Sequence, residues 1–365
     1  MSADSPPEAD RLASTPHPRF NDVLYGQGQA ERVFLDSFHS GRMHHAWLVT
    51  GPLGIGKATL AWRIAKFLLT DPSRESWSLA TTPDHPALSR IRSLTDSSIC
   101  LVRRTQDQKT GRLPKEITVG EIRNLISFFG YASADDRHRV AIIDSADELN
   151  ESAANALLKL LEEPPPKTVF FLISHAPSML LPTIRSRCAT LLCRPLEKRE
   201  FSLALENLDI KAHERHAELA ELAEGSVGEA VRILEGGGLE IYSQLVALFG
   251  TSPGFKRGAA SAIASRCDSP AACRLTSRLT AILLRRLALE GLGGRHGVEA
   301  APSEDSLLRK LSPDLKASRE WASTFFELSR RAEAASRLNV EPYATVLEIL
   351  LSVDRKASEI CGGVK

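Results

Sequence analysis

Short apolar runs separated by amphipathic stretches fill the chain from Phe20 to about Pro195, and the alternation stops there. Five runs read as buried strands: Ala46 to Thr50, Ser98 to Val102, Val140 to Asp144, Val169 to Ser174 and Thr190 to Cys193. Between them the apolar positions fall three and four apart, as on one face of a helix. Leu60, Ile64 and Leu68 form one such face, Ile122, Leu125, Ile126 and Phe129 a second, and Leu157, Leu158 and Leu161 a third. The third helix is expected to start at Asn150 as its cap and to stop at Pro164-Pro165-Pro166. Strands alternating with helices predict an α/β domain built on a five-stranded parallel sheet. Asp71 to Asp96 has neither period and reads as an insertion or long loop.

Beyond Pro195 no strand-like alternation recurs. Phe201 to Gly238 predicts a small helical unit ending at Gly236-Gly237-Gly238. Longer helical stretches follow, including Ala271 to Glu290 and Trp321 to Leu351, around a Gly-, Pro- and Ser-rich loop at Gly291 to Asp305. The expected organisation is a disordered tail over 1–19, a nucleotide-fold domain over 20–195, a small helical domain over 196–238 and an all-α domain over 239–365.

Composition changes this picture little. A chain of 365 residues calls for two or three domains, and 46 basic against 45 acidic residues leave a net charge of +1. That balance excludes a global electrostatic footprint for nucleic acid or membrane. The six cysteines form no C-x-x-C pair and read as reduced thiols of a cytoplasmic protein. The first residues lack the apolar core of a signal peptide, and no run reaches the about 18 apolar residues that span a membrane.

The chemistry is carried by three stretches. After the first strand comes Gly51-Pro52-Leu53-Gly54-Ile55-Gly56-Lys57, the G-x-x-x-x-G-K spacing of a phosphate loop between strand and helix. Such a loop points successive backbone N–H groups at an anion, and its lysine reaches the terminal phosphates. Gly51, Gly54, Gly56 and Lys57, together with Thr59 and Asp144, are the candidate nucleotide-binding residues. The hydroxyl that would ligate Mg²⁺ is missing, because Ala58 follows the lysine. Thr59 offers one a residue later, rotated by roughly 100° around the helix. Val140 to Asp144 ends in a carboxylate that could stand near a metal, yet Ser145 occupies the place where ATPases of this type carry Glu, and general-base help is worth about 10²- to 10⁴-fold. Asp147 and Glu148 read as cap or surface charges. The third stretch, Thr183-Ile184-Arg185-Ser186-Arg187-Cys188, places two arginines in a short loop. Arg103, Arg104, Lys109, Arg112 and Lys115 read as a solvated basic loop, and His44 and His45 as structural.

Taken together, His45 to Lys57, Val140 to Ile173 and Thr183 to Cys188 resemble the AAA+ ATPase subunits of replicative clamp loaders, Ala153 to Pro165 most specifically. The likeness is dense over Leu24 to Pro195 and thin afterwards, where Arg337 to Pro342 is similar to the last helices of that family's collar domain. The resemblance implies an AAA+ domain followed by a small helical lid and an all-α collar. It also implies that Arg187 acts as an arginine finger in the ATP site of a neighbouring subunit. Departures from the motor subunits agree with one another: Ala58, Ser145, the milder Ser174, and Gly228 where motors carry an arginine, with Glu229 expected to repel a triphosphate. Relatives often hold zinc in a four-cysteine insertion, but only Cys100 lies in that region, so no zinc is expected.

The expectation is therefore a non-motor stator of the bacterial DNA polymerase III clamp loader. Its partners would be the motor ATPase subunits and the clamp-opening subunit, with the sliding clamp and primer-template DNA reached through the complex and no membrane. It needs no cofactor, and weak ATP binding at the degenerate loop stays open. The competing readings are an active ATPase motor of the same family and an unrelated phosphate-loop NTPase.

Overall fold

The computed structural model describes residues 8–12, 14–73, 75–106, 113–130, 137–210, 215–293, 297–338 and 340–362. The chain divides into two compact units. The first comprises Met1–Ile210 with Ser226–Gly228, and the second Lys211–Gly225 with Glu229–Lys365.

The first unit holds five parallel strands, β1 (Ala46–Thr50), β2 (Ile99–Val102), β3 (Arg139–Asp144), β4 (Thr168–Ser174) and β5 (Ala189–Leu192), in the order β2-β3-β4-β1-β5. Their bounds differ from the expected runs by a residue at most. Around them lie α1 (Gly28–His39), α2 (Lys57–Leu69), α3 (Pro86–Arg92), α4 (Val119–Gly130), α5 (Glu151–Glu162), α6 (Pro182–Arg185) and α7 (Lys198–Asn207).

Alternate strand residues point to opposite faces and so build two cores. Trp47, Val49, Ile142, Phe171 and Ile173 pack with α1, α2 and α3. Ala46, Leu48, Ala141, Ile143, Phe170 and Leu172 pack with α4, α5 and α6. Asn150 caps α5 as expected, its Oδ1 accepting the Ala153 N–H at 2.9 Å.

Two expectations need correction in this unit. Asp71 to Asp96 is not wholly loop: His85 accepts the Ala87 N–H, Pro86 opens α3, and Ala87, Leu88 and Ile91 are buried. A helix of about two turns is too short to show a period. The tail expected to be disordered over 1–19 is docked where it is described. Asp10 pairs with His17 at 2.9 Å with both side chains fully buried, and Glu8 pairs with Arg19 at 2.7 Å and Arg103 at 3.1 Å. The His17 ring meets buried Trp62 edge-on, 5.9 Å between centroids. Polar composition suggested a solvated segment, whereas its charges are spent on one another, Asp10 on His17 and Glu8 on Arg19, and on Arg103 just after β2.

All the regular elements described in the second unit are helices. It holds α8 (His216–Ala223), most of α9 (Val227–Glu235), α10 (Gly238–Gly250), α11 (Arg257–Ala264), α12 (Pro270–Glu290), α13 (Glu304–Leu311), α14 (Leu315–Leu338) and α15 (Pro342–Gly362). The stretch expected over Trp321 to Leu351 is two helices, broken where Pro342 can only begin a helix. Ser269 caps α12, and Trp321 on α14 is fully buried, donating its indole N–H to Leu311 O at 2.8 Å. Glu304 is fully buried too. It accepts Tyr242 Oη–H at 2.5 Å, Ala300 N–H at 2.7 Å and Arg286 Nη2 at 3.4 Å. None of the described helices is long and apolar enough to cross a membrane.

Candidate nucleotide fold edge and arginine loop

The carboxyl ends of β1, β3 and β4 carry the phosphate loop, Asp144 and Ser174, so parallel strands alone bring these groups to one edge of the sheet. At that edge the phosphate loop is closed on itself. Lys57 opens α2 but is only 3% exposed, and its Nζ donates to Gly51 O at 2.6 Å and Pro52 O at 2.5 Å. Burial lowers the Lys57 ammonium to about 8, against the opposing pull of Cys193, Asp144 and Asp147. Gly54, with φ +78°, takes a second contact that only glycine allows. Gly228 N–H donates to Gly54 O at 2.9 Å, and a Cβ on Gly228 would stand 2.7 Å from Gly54 Cα. Ser226 Oγ adds a bond to Leu53 O at 2.7 Å. Close backbone packing thus fills the position of Gly228, where the resemblance implies an arginine in motor subunits. Gly51 and Gly56 are likewise at positive φ; Ala58 packs on the core, and Thr59 is half-buried one residue on.

Asp144 stands close enough to sense Lys57, but desolvation, reinforced by Asp10 and Glu148, pushes its carboxyl up to about 8. A carboxyl largely protonated at neutral pH is a poor metal ligand. Asp147 is not a loose surface charge. It accepts Ser174 Oγ–H at 2.6 Å, Ser145 Oγ–H at 3.0 Å and His175 N–H at 2.5 Å, tying the ends of β3 and β4 together. Glu148 pairs with Arg104 at 2.7 Å. Arg103 and Arg104 therefore both hold carboxylates, while Lys109 and Arg112 lie outside the described residues. Glu229 is no bare charge either. It is buried in the second unit and paired with Arg232 at 2.5 Å and Arg278 at 2.7 Å. His45 makes a structural bond, its Nε2 donating to Leu161 O at 3.0 Å.

Arg187 sits just after α6, which is anchored by buried Ile184. Its Nη1 donates to Thr183 O at 3.0 Å and its Nη2 pairs with Glu162 Oε1 at 2.8 Å, leaving the side chain 36% exposed. Burial pushes the neighbouring Cys188 thiol up to about 12, so Cys188 is a packing group and not a nucleophile. Sequence reasoning picked out Arg187 but missed Asp10, Asp147 and Glu162. No local pattern distinguishes a carboxylate with distant partners from a solvated one.

Residues 26–197 match the family described as DNA polymerase III, delta subunit. The resemblance to clamp-loader subunits drawn from the motifs is borne out by this match and by the relatives. The delta' subunit of DNA polymerase III from Pseudomonas aeruginosa is 35% identical over 208 residues, covering 55% of this chain and 59% of that protein. The delta' subunit from Bacillus subtilis is 31% identical over 208 residues, covering 57% and 59%. The tau subunit from Escherichia coli is 29% identical over 221 residues, covering 59% and 32%. The chain spans less than two thirds of the length of these relatives.

Proposed function

We propose that this chain is a non-motor subunit of a DNA polymerase III clamp loader, which helps place a sliding clamp on primed DNA and lends Arg187 to the ATP site of a neighbouring motor subunit. The carrying observation is a contrast within one unit. Lys57 is buried on its own loop carbonyls, whereas Arg187 keeps its guanidinium at the surface. A guanidinium needs no working site in its own subunit. Placed against a transferring phosphoryl group it stabilises the developing charge, worth about 10³- to 10⁵-fold in rate. The motor subunits, the clamp-opening subunit and the clamp belong to this reading, as does an absence of any required cofactor or zinc. Likeness to delta' and tau subunits supports the clamp-loader part of this reading. Arg187→Ala should leave assembly of the loader intact and cut its DNA-stimulated ATP turnover by at least tenfold. Unchanged turnover removes the finger assignment, and steady turnover by the isolated chain, lost on Lys57→Ala, makes it a motor instead.

A further inference from the structure

A finger arginine acts only if its guanidinium arrives oriented, and an exposed arginine left alone samples many rotamers. Arg187 is held at two points from two different elements. Thr183 O, on the first turn of α6, accepts from Nη1 at 3.0 Å. Glu162, the last residue of α5, stands 2.8 Å from Nη2. Both supports are themselves fixed. α5 is capped at Asn150 and anchored by buried Leu157, Leu160 and Leu161, while Ile184 anchors α6. The guanidinium carries five N–H donors in one plane. Among the described residues the bond to Thr183 O and the ion pair with Glu162 together set that plane, and the fork has further donors to offer an anion. At 36% and 48% side-chain exposure the pair adds little to folding stability, so its consequence lies in orientation.

We propose that Glu162 is a positioning residue for Arg187, setting the plane in which the guanidinium is presented to a phosphate group on the neighbouring subunit. This rests on the trans-finger reading above. It assigns no chemistry to Glu162, which acts only through the arginine.

The test is a double-mutant cycle on the full chain assembled with its gamma/tau-type partner subunits, comparing wild type, Arg187→Ala, Glu162→Ala, Glu162→Gln and the Arg187→Ala/Glu162→Ala pair. Assembly is checked by gel filtration, and kcat and KM for ATP are measured with primed DNA present. Glu162→Ala should lower kcat about two- to five-fold, the range an exposed ion pair allows, with KM unchanged. Glu162→Gln, which keeps an acceptor oxygen in the same shape, should recover more than half of that loss. On the Arg187→Ala background, Glu162→Ala should add nothing. Unchanged or raised kcat in Glu162→Ala, or a loss that persists without Arg187, overturns the positioning role while leaving the finger in place. If Arg187→Ala itself has no effect, both readings fall together. Failure of Glu162→Ala and Glu162→Gln alike to assemble would mark Glu162 as structural and overturn the proposal too.

Discussion

Putting back the missing motif residues should not give this chain a usable ATP site. Ala58→Thr returns a hydroxyl after the lysine and Ser145→Glu returns a carboxylate after Asp144, yet neither touches what closes the loop. To expose the cradle, Lys57 must leave Gly51 O and Pro52 O, Gly228 N–H must leave Gly54 O, and Ser226 must leave Leu53 O. Net values of about 1.5 kcal/mol for each bond from a charged donor and about 0.5 kcal/mol for each neutral one, both low ends, give an opening cost of about 4 kcal/mol. A binding-competent state disfavoured by that much weakens apparent affinity roughly 10³-fold, so an intrinsic micromolar site would read as millimolar. Asp144, raised to about 8, works in the same direction by meeting Mg²⁺ largely protonated at pH 7. Titration calorimetry with Mg-ATP on wild type and on the Ala58→Thr/Ser145→Glu variant should give no dissociation constant tighter than about 1 mM. A micromolar constant in either protein, abolished by Lys57→Ala, would falsify the closed-loop account.

Two further outcomes concern stability. Glu304→Ala should lower the urea-unfolding free energy by about 1–3 kcal/mol, because it leaves the buried Tyr242 hydroxyl unpaired and takes from Arg286 its nearest carboxylate, with Glu221 at 3.7 Å and Val298 O remaining; a loss well under about 1 kcal/mol would mean water or a rotamer change satisfies both. The docked tail should be acid-labile. Burial raises Asp10, but His17 and Arg103 outweigh it and hold the carboxyl below its ordinary value, and Arg19, His17 and Arg103 do the same for Glu8. Groups with depressed folded values stabilise above their unfolded values and lose that contribution as pH falls through the folded ones. Asp10→Asn should therefore cost about 1.5–3 kcal/mol at pH 7, the range for bonds to a charged acceptor, and the gap should close as pH drops below about 4. A gap independent of pH would remove the ionic account of the tail.

Sequence alone determined the strands, the cap at Asn150 and the phosphate-loop spacing. Each is written in local order: runs of apolar residues, a side chain three positions from the N–H it caps, glycines and a lysine at fixed offsets. Through the resemblance it also marked Ala58, Ser145 and Gly228 as positions expected to differ from motor subunits. Tertiary structure decided what those departures amount to. Gly228 lies 174 positions beyond Gly54 and packs on its backbone, Asp10 neutralises Arg103 across the sheet edge, and Glu162 reaches Arg187 from another helix. Pairing of charges depends on which partners folding brings within a few ångströms, and that distance is not encoded in either residue's neighbours. For the same reason Glu229 read as a repulsive charge until its two arginines were placed beside it. Periodicity fixes which face a residue occupies, while burial and partners decide whether its charge is free to act.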